Sequence, residues 1–271
     1  MFKNASQGQN VRPNKLMGQN FLTNTAILER MTSTLAIKEG DKIIEVGPGT
    51  GNLTDYLINS MAGEILAIEK DKGLAIGLIN KYRSIPKLTI LPQDILFWLK
   101  QPQNRQKLHR YKVIGNIPYY LTGQLMRLLL NGEFQPISIV LTIQKEVAQR
   151  IVAQPPQMTA LSAIVQTLSE PKIVFTIGRG NFKPIPNVDS AVISIKPKPI
   201  YDSNQTQSII KTIKAGFLHP RRLLLSNLAE GLEIEKSKIT SIFASLNWDT
   251  QLRAQNLTVA DWKKISVSLN G

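Results

Sequence analysis

The chain has no cysteine among its 271 residues and only two histidines, His109 and His219. Without thiols there is no disulfide framework and no thiolate metal site, and two histidines leave little from which to build a metal centre, so no metal is expected. No apolar run approaches the roughly 20 residues that a membrane span needs, and the opening MFKNASQGQN lacks the apolar centre of a signal peptide. The expectation is a cytoplasmic protein, monomeric and without membrane association. Acids are scarce as well: 19 Asp and Glu stand against 33 Lys and Arg, a net charge of +14. Such an excess attracts polyphosphates and makes binding salt-sensitive through counterion release. Nucleic acid is the leading partner, with a solvated basic surface or an anionic lipid surface as alternatives.

What is present is an alternation. Short β-rich runs at 42–46, 64–69, 88–91, 111–115 and 137–142 are separated by helical spacing over 53–60, 73–82 and 124–130. This predicts an α/β fold with a doubly wound, largely parallel sheet. Further helices are expected up to Val152 and over 160–168, and strands over 173–177 and 191–195. The proline-dense KPKPI at 196–200 marks a boundary. Four helical runs follow it, over 208–217, 223–230, 236–246 and 258–269. The expected organisation is a Rossmann-like domain over 1–200 and a small α-helical domain over 201–271.

The first strand runs into Ile44-Glu-Val-Gly-Pro-Gly-Thr-Gly51, whose glycines, Gly47, Gly49 and Gly51, allow the close backbone approach that a nucleotide-type cofactor needs. Glycines so spaced also occur in dehydrogenases and in plain tight turns. Glu69 ends the second strand, where a carboxylate can accept from both ribose hydroxyls of a nucleoside. Asp94 follows the third and can hold an adenine amine or simply cap a helix. Glu45, Gly47, Glu69 and Asp94, at successive strand ends, place one polar group for each part of an adenosyl ligand along one sheet edge. Together with Asn116-Ile-Pro-Tyr119 after the fourth strand they favour S-adenosyl-L-methionine over NAD. That tetrapeptide is similar to one found in methyltransferases acting on planar amino nitrogens. The Asn116 side-chain oxygen and the Pro118 carbonyl are two acceptors for an amine's N–H groups, and Tyr119 is a ring to stack on its base. Gly115 is expected to turn the backbone at the strand end and Tyr120 to pack.

GQNFL at 18–22, EVGPGTGNLT at 45–54, NIPYYLTG at 116–123, QKEVAQR at 144–150, FKPIPNVDSAV at 182–192 and RAQNLTVADW at 253–262 resemble, along nearly the whole chain, the KsgA family of small-subunit ribosomal RNA adenine dimethyltransferases. The resemblance implies transfer of two methyl groups each to N6 of two adjacent adenosines in a hairpin loop near the 3′ end of 16S rRNA, within an immature 30S subunit. It implies that Asn20 and Leu22 close over the cofactor, that Gly47 contacts its amino-acid part, and that Phe182 faces Tyr119 across a flipped adenine. Lys15 in the basic N-terminal segment and Arg221-Arg222 are candidates for phosphate contact. Three departures from the family pattern leave the cofactor and amine sites untouched: Pro156–Ala160 and Leu223-Leu224, which bear on RNA contact outside the pocket and on substrate choice, and Gly123, where the family commonly has serine. The competing readings are a 23S rRNA adenine methyltransferase of the macrolide-resistance type and a non-catalytic ribosome assembly factor.

Overall fold

The computed structural model describes residues 19–106, 110–131, 134–199 and 202–270. Its strands are β1 (Phe21–Leu22), β2 (Lys42–Val46), β3 (Glu64–Glu69), β4 (Leu88–Pro92), β5 (Tyr111–Asn116), β6 (Ser138–Gln144), β7 (Ser169–Ile177), β8 (Phe182–Lys183) and β9 (Ser190–Pro197). Its helices are α1 (Thr25–Thr34), α2 (Asn52–Ile58), α3 (Lys72–Lys81), α4 (Ile95–Lys100), α5 (Pro102–Gln106), α6 (Thr122–Leu130), α7 (Lys145–Val152), α8 (Ala160–Leu168), α9 (Ser203–Gly216), α10 (Leu224–Leu232), α11 (Lys236–Ser245) and α12 (Val259–Asn270). Seven strands form one sheet in the order β4-β3-β2-β5-β6-β9-β7, and β1 and β8 form a separate antiparallel pair. The predicted α/β class and the largely parallel sheet are therefore present.

The register explains why the strand ends align. β2 runs parallel to both β3 and β5, with Glu45 opposite Ala67 on one side and Ile114 on the other. β4 runs parallel to β3, and β6 to β5. Parallel strands need a crossover segment between them, so the C-terminal ends of β2, β3, β4 and β5 all open into loops at one edge. Ile43, Ile44, Ile65, Val113, Ile114 and Val140 are each at most 1% exposed, the near-continuous apolar pattern of strands covered on both faces.

Helices α1, α4 and α5 lie outside the helical runs that spacing predicts. α1 is rich in threonine, a weak helix former, and is held instead by its cap and its buried face. The Asn24 side chain accepts from the Ile27 N–H, while Leu28 and Met31 enter the core.

The chain divides into two compact units. One comprises Met1–Leu129, Phe134–Lys145 and Val174–Ser194, the other Leu130–Glu133, Glu146–Ile173 and Ile195–Gly271. The first has a core of Leu28, Met31, Leu57, Ile65, Val140 and Phe182 with their neighbours. The second is mainly helical among its described residues, and it takes in α8 because Met158 and Ala163 share a core with Ile213, Leu224, Phe243 and Trp262. Trp262 is fully buried, its ring centroid 5.6 Å from that of Phe217, and its indole N–H has no partner. Trp262→Ala should destabilise the protein by about 3–5 kcal/mol. Trp262→Phe should cost only about 1–2 kcal/mol, because it also removes the unpaired donor; urea unfolding of both variants checks the order.

Candidate cofactor and amine site

Eleven of the twelve residues predicted from sequence for the cofactor and the amine line one pocket in the first unit: Asn20, Leu22, Glu45, Gly47, Gly49, Glu69, Asp94, Asn116, Pro118, Tyr119 and Phe182. Gly51 stands behind it. Its φ of +85° caps α2, and a Cβ there would lie 2.6 Å from the Tyr82 hydroxyl oxygen, so its lack of a side chain serves the packing of α3. Gly47 is different: its φ is +65° and a Cβ would meet nothing within 4 Å, so the loop presents bare backbone to open space.

Glu69 joins the two loops of the site. It is 6% exposed; its Oε2 accepts from the Gly49 N–H at 3.0 Å and its Oε1 from the Asp71 N–H at 2.8 Å. Each oxygen retains a second lone pair for a ligand hydroxyl. Burial raises its pKa above the ordinary carboxylate value, against the pull of the two backbone donors. Asp94 does both things the sequence allows. Oδ1 caps α4 by accepting from the Leu96 N–H at 2.8 Å, and Oδ2 pairs with Lys70 Nζ at 3.0 Å. Burial alone would push this carboxyl up, but Lys70 and the Leu96 N–H outweigh it and hold it below its ordinary value. Lys70 is a pocket residue that motif reasoning passes over, although it directly follows Glu69 at a strand end.

Glu45, 1% exposed, is the third pocket acid. Its Oε2 accepts from the Thr54 hydroxyl at 2.8 Å, while Oε1 has no hydrogen-bond partner. Burial pushes its pKa up to about 8, opposed by Thr54 and reinforced by Glu69 and Asp55.

The N-terminal arm is tied to the pocket by backbone atoms. Asn116 Nδ2 donates to the Asn20 carbonyl at 2.7 Å, and Asn52 Nδ2 to the Leu22 carbonyl at 2.8 Å. The pairing of Leu22 opposite Phe182 joins arm and FKPIPNVDS loop. With its Nδ2 committed, Asn116 offers Oδ1 as an acceptor. The Pro118 carbonyl already accepts from the Leu121 N–H at 3.0 Å and keeps one lone pair. The Tyr119 hydroxyl shares a 2.8 Å hydrogen bond with Ser190, which fixes its ring. Phe182 lines the same pocket but is 1% exposed and belongs to the core cluster.

Two expectations are corrected here. Gly115 does not turn the chain: it lies within β5 opposite Val46, and a Cβ would fall 2.6 Å from the Val46 carbonyl oxygen. Close strand approach, not a bend, requires glycine there. Tyr120 does not pack, because it is 57% exposed beside the pocket.

Of the predicted phosphate contacts, Lys15 lies outside the described residues. Arg221 and Arg222 are exposed in the turn before α10, and Arg222 pairs with Glu230 at 2.6 Å, as does His219 at 2.9 Å. The departures have structural roles. Met158 and Leu224 are core residues, and Thr159 forms a capping box with Ser162 on α8. At Gly123 a side chain would meet nothing within 4 Å. No helix among the described residues is long and apolar enough to cross a membrane, and none of their acids and histidines gather into a metal-binding group.

The Glu45 shift has a definite sign. The folded protein keeps a proton on Glu45 up to about pH 8, whereas the unfolded chain releases it near 4.5. Across that window the native state binds more protons, so this residue's contribution to stability falls as pH rises and levels off above it. Glu45→Gln, which cannot ionise, should therefore gain in melting temperature relative to the unaltered protein as pH is raised from about 5 to about 8; thermal melts across that range check it.

The family model for ribosomal RNA adenine dimethylase matches residues 10–269. A protein of Dehalococcoides mccartyi (strain CBDB1) called ribosomal RNA small subunit methyltransferase A is 34% identical, the match covering 99% of this chain and 92% of that one. One of the same name from Clostridioides difficile (strain 630) is also 34% identical, with 99% and 94% covered. Among solved structures, a dimethyladenosine transferase from Plasmodium falciparum superposes with a TM-score of 0.77 at 21% identity, covering 92% of this chain and 97% of its own. The 23S rRNA methyltransferase ErmE superposes with 0.74 at 20% identity, covering 93% and 100%. The two structures share the fold, while the match of the family model to nearly every residue of this chain and the two relatives at 34% identity carry the assignment: the chain belongs to the ribosomal RNA adenine dimethylase family.

Proposed function

We propose that the chain transfers methyl groups from S-adenosyl-L-methionine to N6 of two adjacent adenosines in a hairpin loop near the 3′ end of 16S rRNA, giving N6,N6-dimethyladenosines. Its substrate in this reading is an immature 30S subunit, on which it acts as a cytoplasmic monomer with a role in small-subunit biogenesis. The observation that carries the reading is the presence of Glu69, Asp94 and Asn116 in one pocket. The small-subunit relatives at 34% identity favour it over a 23S substrate.

The pocket suits the cofactor in two respects. Gly47 leaves open space along bare backbone, and three carboxyl groups face a ligand that carries positive charge. In the proposed roles Asp94 accepts from the adenine amine, Glu69 from the ribose hydroxyls, and Gly47 with Glu45 borders the amino-acid part, with Asn20 and Leu22 closing the arm. The bound cofactor supplies a methyl group on a sulfonium, a leaving group good enough that no strong general base is needed. Asn116 Oδ1 and the Pro118 carbonyl accept the two N–H groups of the target amine. They draw its lone pair out of conjugation with the ring and aim it at the methyl. The new N–C bond forms as the C–S bond breaks, and the amine proton leaves to water. Tyr119 and Phe182 take the base between them once it has left its stack, stacking being worth on the order of 1–3 kcal/mol per base. Lys15, Arg221 and Arg222 contact phosphate.

Purified protein should methylate immature 30S particles lacking the modification at two adjacent adenosines; labelling of 50S precursors instead would overturn the substrate assignment. Asn116→Ala should cut turnover by about 100-fold or more, as loss of a positioned polar group at a reacting centre does, with cofactor affinity much less affected. Calorimetry beside single-turnover rates separates the two effects.

A further inference from the structure

We infer that Tyr120 stacks on the adenosine next to the one in the pocket, holding one target of the pair beside the site while the other is methylated. This rests on the rRNA reading above and adds to it a side chain that senses the neighbouring base. The first step is placement. Tyr120 lines the pocket yet is 57% exposed, whereas Ile117 and Leu121 in the same turn are 2% and 7% exposed. A single exposed apolar side chain is ordinary on a protein surface. An exposed ring at the rim of a pocket that receives a base is different: it is an open stacking face where the strand must pass.

The second step is direction. Tyr119 and Tyr120 are consecutive in one 3₁₀ turn, with Cα atoms about 3.8 Å apart. The Tyr119 hydroxyl is tied to Ser190 on β9, while that of Tyr120 interacts electrostatically with Lys70, which follows β3. In the sheet, β9 and β3 lie on opposite sides of β5, the strand that leads into this turn. The two rings therefore diverge and offer separate faces, so a base stacked on Tyr119 leaves Tyr120 for its neighbour. The third step is charge. Lys70 pairs with Asp94 at 3.0 Å, yet its side chain remains 51% exposed. The hydrogen bond from Asp94, then the charges of Asp94 and Tyr120, raise its pKa, so it stays a cation. A ring beside a cation is the composition of surfaces that bind single strands, the ring taking a base and the cation a phosphate. With two adjacent targets, each adenosine is the neighbour of the other, and one ring serves both.

The experiment uses immature 30S particles lacking the modification, whole or rebuilt with an abasic residue in place of either adenosine. The unaltered protein is compared with Tyr120→Ala and Tyr120→Phe. On whole particles Tyr120→Ala should lower kcat/KM about tenfold, as loss of one base stack does, while Tyr120→Phe should match the unaltered protein. Affinity for S-adenosylmethionine, read by calorimetry, should be the same in all three. On rebuilt particles the unaltered protein should lose about tenfold at the remaining adenosine, and Tyr120→Ala should lose nothing further. If the missing base slows both proteins by the same factor, ring and base act independently; the inference is then overturned and the rRNA reading stands. Full activity of Tyr120→Ala on whole particles would overturn it too. So would a defect confined to cofactor affinity, which would place the ring over the cofactor. No methylation of whole particles by the unaltered protein would remove the rRNA reading itself, and this inference with it. Because Tyr120 is exposed, its replacement leaves the core intact.

Discussion

The Glu69 carboxylate, accepting one N–H from the glycine loop and one from its own, is the interaction on which the site depends. These two bonds fix the end of β3 to the loop that leaves β2. They are made by a side chain only 6% exposed, where an ionised group needs such donors to be tolerated at all. The parallel register brings the strand ends together; Glu69 turns that coincidence into a defined surface. Behind it, Tyr82 fills the space left by Gly51 and donates to Asp55 at 2.6 Å, so the loop is supported from α3 as well.

Charge is distributed unevenly. The chain carries +14 overall, yet its pocket contains Glu45, Glu69 and Asp94, with Lys70 as a basic partner for Asp94. A basic protein with an acidic pocket suits two ligands of opposite sign, a polyanion for the surface and a small cation for the interior. The same contrast accounts for the opposite behaviour of neighbouring acids. Asp94 is kept ionised by Lys70, whereas Glu45, with no cation, is pushed toward neutrality.

The five early strands were legible because each is an apolar run between turn signals, and their observed bounds differ from the expected ones by no more than two residues. The pocket was legible because parallel strands place their following residues at one edge, so acids at successive strand ends had to meet. β1 and β8 were not legible, since two residues carry no period, and their pairing depends on segments about 160 positions apart. Gly115 was misread for a related reason. A glycine at a strand end suggests a turn, and only the position of the Val46 carbonyl shows that it makes room for a neighbouring strand. Tyr120 was misread because adjacent tyrosines in a strand-to-helix turn look alike in sequence, yet one is tied to Ser190 and the other is turned to solvent.

The sequence by itself determined the fold class, the charge and the residue types of the site, because periodicity, composition and motif spacing are local properties of the chain. Only the tertiary structure decided which atoms remain available for a ligand. The Asn20 carbonyl takes the Asn116 amide nitrogen, Leu96 and Lys70 share Asp94, Tyr82 stands where a side chain on Gly51 would be, and one oxygen of Glu45 has no partner. Hydrogen-bonding capacity is a property of each residue, but its use depends on neighbours that are remote in sequence, and packing alone brings those together.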